Sequence, residues 1–196
     1  MSPPLMEVRG LEKRYRQPLA LGSRTVYALN GVDLQLSAGE TLGVVGESGS
    51  GKSTLGRLIL RLEPPSAGSV RFDGTDLGSL DRRSLRQARR RIQIVFQDPY
   101  ATLNPRQTVG DAVAEGLVIH RVTRGEALRT RVAGLLEDVG LTGQDAARYP
   151  HEFSGGQRQR IAIARAIALD PGFLVCDEPV ASLDVAIQSQ ILTLLQ

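Results

Sequence analysis

The stretch GESGSGKST, Gly46 to Thr54, places three glycines, four hydroxyl side chains and one lysine within nine residues. It fits the spacing G-x-x-x-x-G-K-[ST] of a phosphate-binding loop. Gly46, Gly49 and Gly51 let successive backbone N–H groups turn inward as an anion nest, and Glu47, Ser48 and Ser50 fill the variable positions. The helix start that follows adds positive potential. Lys52 reaches the outer phosphates of a nucleotide, the Ser53 hydroxyl is a ligand for Mg2+, and Thr54 closes the motif. A glycine-rich turn with a stray lysine would look similar in isolation. The flanks argue against it. The apolar run Thr41–Gly46 precedes the loop as a buried strand, and helical periodicity follows from Ser53 to Leu62, ahead of Pro64 and Pro65.

Two further stretches carry chemistry. FLVCDEP, Phe173–Pro179, is an apolar strand ending on adjacent acids. Charge at the end of a buried strand needs a partner. Beside a phosphate loop, Asp177 is the expected partner of Mg2+, and Glu178 is placed to polarise an attacking water. Plain solvation of both acids is the bland alternative. FSGGQRQR, Phe153–Arg160, puts Ser154 and Gln157 at capping-box spacing before a helix. Capping leaves Gly155 and Gly156 unexplained. Paired glycines allow close backbone approach to a ligand. Gln97 closes the run IQIVFQ, and alone it reads as a strand exit to solvent.

The elements that must hold these residues alternate. Leu5–Val8, Tyr27–Leu36, Thr41–Gly46, SVRFDG, Ile92–Gln97 and FLVCD read as strands, with helical patterns between them. That alternation implies an α/β fold with a parallel sheet. From Asp98 to about Tyr149 no strand pattern appears, and helices are predicted to start near Val109 and Glu126. This middle is expected to be an inserted helical subdomain, residues 98–165, within a core of residues 1–97 and 166–196. A last helix is expected from Asp184.

Composition excludes some classes. Aromatics are 4% with no tryptophan, which argues against aromatic-lined recognition of bases or sugars. The net charge is +3 with no long basic block, so nucleic acid is not an expected partner. Arg82, Arg86 and Arg89 share a helical face that reads as solvated. No run approaches the ~18 apolar residues of a membrane span. The single cysteine, Cys176, rules out an internal disulfide, points to a reducing compartment and reads as a small buried residue. His151 reads as a loop residue, not a general base.

In this order, GESGSGKST, Gln97, FSGGQ, FLVCDEP and SLD (Ser182–Asp184) resemble the nucleotide-binding subunit of an ATP-binding cassette transporter. VFQDPYATLNPR, HEFSGGQRQRIAIARAIALDP and DEPVASLDVAIQSQIL are most similar to the oligopeptide, dipeptide and nickel importer ATPases of bacteria. The resemblance implies a phosphate-loop NTPase fold, a RecA-like parallel core with antiparallel N-terminal strands. It implies ATP and Mg2+ as ligands. It also implies a head-to-tail dimer with a second cassette, identical or different, and a permease at the cytoplasmic face of the bacterial inner membrane. Ser154, Gly155, Gly156 and Gln157 would hold the ATP bound to the partner's phosphate loop. Tyr15 would stack on adenine, with Tyr27 as a rival. Gln97 would ligate Mg2+, and Asp184 would lie at the dimer interface.

The family pattern continues past SLD to a strand ending in a switch histidine. Neither His120 nor His151 can fill that role, as both lie upstream. The 196 residues are therefore expected to form an incomplete cassette whose sheet lacks a central strand, and to be inactive alone. A cassette ATPase outside transport is the remaining alternative.

Overall fold

The computed structural model describes residues 3–18, 22–179 and 185–194. The chain divides into two compact units, Met1–Ala88 and Arg89–Gln196.

The first unit is built on an antiparallel sheet. Strands β1 (Met6–Pro18), β2 (Ser23–Leu36), β3 (Ala67–Phe72) and β4 (Thr75–Asp76) lie in the order β2-β1-β3-β4. β1 opens with regular alternation, Met6 and Val8 buried and Arg9 exposed. A register shift between Val8 and Leu11 then re-phases it. Gly10, at φ +54°, absorbs the shift, and its N–H donates to Asp33 Oδ1 at 2.8 Å. One extra residue moves every later side chain to the other face. Leu11 and Lys13 are therefore the buried positions, and Tyr15 follows them on the same face. Helix α1 (Lys52–Ile59) buries Leu55, Leu58 and Ile59. Helix α2 (Arg82–Arg91), which begins in this unit, has no fully buried residue; Arg82 and Arg86 are exposed as expected, whereas Arg89 is half-buried.

Thr41–Gly46 departs from expectation. It forms no strand, and Val45 is 94% exposed. A strand exists only through a neighbour that takes up its N–H and C=O groups. Among the described residues, none pairs with this run.

The second unit joins a parallel pair, β5 (Ile92–Val95) and β6 (Phe173–Cys176), to a set of helices. These are α3 (Pro99–Thr102), α4 (Val109–Ile119), α5 (Gly125–Asp138), α6 (Gly155–Ile167) and α7 (Val185–Leu194). As predicted, no strand lies between Asp98 and Tyr149. One apolar core joins Val113 and Leu117 of α4, Val132 and Leu136 of α5, and Ile161 and Ala164 of α6. Arg165 pins these helices further, donating to the Thr102 carbonyl at 2.7 Å and pairing with Glu115 at 3.1 Å. Cys176 is exposed, contrary to the sequence reading. Each residue of β6 meets a ladder partner only on its β5 side among the described residues, so the end of the strand is not enclosed.

Candidate functional site

In the first unit, α1 begins directly at the phosphate-loop motif. Its N-cap, Gly51, sits at φ +99°, and a Cβ there would lie 2.5 Å from the Ala28 carbonyl oxygen. Only glycine fits this turn. Gly46, Glu47, Ser48, Gly49 and Ser50 form an exposed loop, with Ser50 N–H donating to the Glu47 carbonyl at 3.2 Å. Lys52 folds back over that loop. Its Nζ donates to the Gly46 and Glu47 carbonyls at 2.7 and 2.8 Å. The ammonium is thus held beside the N–H groups that would bind an anion. Ser53 and Thr54 occupy the first turn of α1 and are half-buried.

Of the rival tyrosines, Tyr15 is tied to the segment that follows α1. Its hydroxyl donates to Glu63 Oε2 at 2.7 Å. Tyr27 is more exposed and lies under the Arg14 guanidinium, 5.3 Å from its ring centre.

In the second unit, Asp177 and Glu178 follow β6 directly. Asp177 N–H donates to the Val95 carbonyl at 2.9 Å, which carries the parallel register one residue past the strand. Glu178 then turns at φ +49°, an uncommon conformation for a residue with a side chain. Gln97 leaves the neighbouring strand end, and its amide nitrogen donates to Glu178 Oε2 at 2.6 Å. The two residues are 81 apart in sequence. The parallel pair aligns their exits at the carboxyl ends of the strands, where α/β sheets place ligands.

Ser154 caps α6 as expected. Its Oγ accepts from Gln157 N–H at 3.3 Å, and Gln157 Oε1 accepts from Ser154 N–H at 2.9 Å. Among the described residues a Cβ on Gly155 would meet nothing within 4 Å, so their packing does not require glycine there. Asp184 lies outside the described residues.

Sequence reading missed two groups. Glu63 and Lys13 surround Tyr15, and no spacing marked them. Arg158 and Gln159 of α6 are buried despite their polarity. Arg158 donates to the Pro150 carbonyl at 2.6 Å and stacks 4.0 Å from the Tyr100 ring centre. Gln159 donates to the Phe96 carbonyl at 3.3 Å, next to Gln97. The signal available was their place on the buried stripe of a helix.

A profile described as ABC transporter matches residues 29–181, and the chain belongs to that family. It is 50% identical over 194 residues to a putative peptide import ATP-binding protein of Brucella ovis, covering 98% of this chain and 60% of that one. It is 52% identical over 197 residues to the glutathione import ATP-binding protein of Salmonella paratyphi A, covering 98% and 31%. The chain thus spans at most about 60% of the length of these curated relatives. A solved ATP-binding cassette, dimeric and bound to ADP and Pi, superposes with a TM-score of 0.88 at 34% identity, covering 97% of this chain and 81% of that one. The fold is that of the phosphate-loop NTPases, with its antiparallel N-terminal sheet and its parallel pair.

Proposed function

We propose that the protein carrying this chain binds and hydrolyses ATP and couples that hydrolysis to a membrane permease importing peptides or similar small solutes. The observation that carries the reading is the Glu178 carboxylate at the carboxyl end of β6, held 2.6 Å from the Gln97 amide. A phosphate loop alone would serve a passive binder. A carboxylate at a parallel strand end adds a group able to take a proton from water.

In this reading Gly46–Thr54 cradles the phosphates, with Lys52 supplying positive charge from its hold on Gly46 and Glu47. Glu178 accepts the proton of the attacking water as the γ-phosphoryl group leaves ADP for that water. The donor set suits Mg2+. The Gln97 amide oxygen and the Asp177 carboxylate, which leave neighbouring strand ends, are hard oxygen donors of the kind Mg2+ takes, and the Ser53 hydroxyl at the start of α1 is a donor of the same class. Gln97 already gives its amide nitrogen to Glu178, which leaves its oxygen for a cation. Bound Mg2+ would neutralise charge on the phosphates.

Ser154, Gly155, Gly156 and Gln157 serve the ATP of a second cassette, identical or different. The open space beside Gly155 supports this, since the described residues give no packing reason for glycine. Asp184 lies at that dimer interface. Residues 1–97 and 166–196 make up the nucleotide-binding core and 98–165 the helical subdomain. The protein works at the cytoplasmic face of the bacterial inner membrane. Among the described residues no helix is long and apolar enough to cross a membrane.

The test is phosphate release from Mg-ATP by the intact protein and its Glu178→Gln variant. The variant should keep ATP binding and lose roughly 10²–10⁴-fold in turnover. Near-normal turnover would remove Glu178 from the chemistry.

A further inference from the structure

Behind Tyr15 lies a cluster that phosphate binding does not use. The Tyr15 hydroxyl donates to Glu63 Oε2 at 2.7 Å. Lys13 Nζ pairs with the same oxygen at 3.3 Å and donates to the Pro64 carbonyl at 2.8 Å. Arg57 approaches the other Glu63 oxygen at 3.8 Å. The Lys13 ammonium also sits over the Tyr15 ring, 5.1 Å from its centre. Lys13 is only 9% exposed, so this arrangement is built into the fold. The cluster draws on β1, on α1 and on the segment that follows α1.

Each contact removes a freedom. The hydroxyl bond to Glu63 fixes the ring's far end. The ammonium occupies one face, so only the opposite face can receive a planar ligand. A cation behind a ring withdraws electron density from it, which favours stacking on an electron-rich heterocycle. Glu63 is itself kept ionised. The Tyr15 hydroxyl, foremost, and then Lys13 and Arg57 hold its carboxyl below the usual range.

We infer that Glu63 is a positioning residue for the nucleotide base: with Lys13 it locks Tyr15 beside α1 with one face presented. This rests on the reading that Tyr15 meets the base. A ring fixed before binding loses little freedom on binding, so the cluster raises affinity for the base and leaves affinity for phosphate alone unchanged.

The test uses the intact protein and two probes, ATP and inorganic tripolyphosphate, which has no base. Glu63→Ala should weaken ATP binding by about tenfold, as expected for loss of a hydrogen bond to a charged group. It should leave tripolyphosphate affinity unchanged. Glu63→Gln keeps an acceptor for the phenol and should recover most of the loss. Combining Glu63→Ala with Tyr15→Phe should cost no more than Glu63→Ala alone, because that change has already removed the phenol's acceptor. Equal loss for both probes would make Glu63 a structural residue and overturn the inference. If Tyr15→Ala weakens ATP selectively and neither Glu63 variant does, the inference fails while the base-stacking reading stands. If Tyr15→Ala leaves the ATP to tripolyphosphate ratio unchanged, the underlying reading fails instead.

Discussion

The phosphate loop and the FSGGQ helix are both glycine-marked helix starts, yet their glycines answer to different things. At Gly51 the constraint is internal: φ is +99° and the Ala28 carbonyl would lie 2.5 Å from any Cβ. At Gly155 nothing within 4 Å among the described residues opposes a side chain. Their supports differ as well. The FSGGQ helix is seated in a continuous core, with Ile161, Ile163 and Ala164 fully buried. Among the described residues the run leading into the phosphate loop has no ladder partner, and Leu42, Val44 and Val45 are exposed. A glycine demanded by its own backbone marks a loop geometry. A glycine tolerated without such demand points outward, to something that must come close.

The largest expected effect follows from the unsupported run. Residues 1–196 expressed alone should release no phosphate from Mg-ATP above background. Catalysis of this kind is positioning and electrostatics, where an error of about 1 Å can cost about 10²-fold. A cooperative near-UV melt, together with turnover abolished by Glu178→Gln, would break the comparison at this end.

Gly51→Ala comes next. Holding alanine in that conformation costs on the order of 1–3 kcal/mol before the clash is counted. ATP affinity by fluorescent-nucleotide titration should fall at least tenfold. Unchanged affinity would show that the loop does not need its left-handed turn.

Gly155→Ala should be the mildest structurally. Alanine is the better helix former by up to about 1 kcal/mol, less in a first turn. The melting temperature of the intact protein should hold or rise slightly. ATP turnover should nevertheless fall if a partner's nucleotide approaches this backbone. Full turnover with raised stability would return Gly155 to the status of an ordinary helix residue.

Motifs were legible where chemistry is written in adjacent residues. The phosphate loop, the capping box of Ser154 and Gln157 and the acids after β6 stand where their spacing placed them. Helices and strands with strong local patterns were legible too, Val109–Ile119 and Ile92–Val95 among them. Thr41–Gly46 was not, because a buried-type apolar run says nothing about whether a neighbour exists to pair with it. Cys176 was misread for the same reason. Its apolar neighbours suggested an enclosed strand, but enclosure is a property of the sheet. Glu63 and Lys13 were invisible because their meeting depends on the bulge at Gly10, which decides the face Lys13 and Tyr15 occupy.

The parallel pairing of β5 with β6 also sets an order of assembly. β1 and β2 are joined by a short connection, so their pairing closes a small loop and is fast. Ile92 must wait for Phe173, with all of α3 to α6 in between. Loop closure across that distance is favourable once the intervening helices have collapsed onto their own core. On the ribosome, the phosphate loop emerges more than a hundred residues before Glu178. The nascent chain can therefore display the glycine-rich loop for several seconds, at about 5–20 residues per second, before the acids that follow β6 have been made.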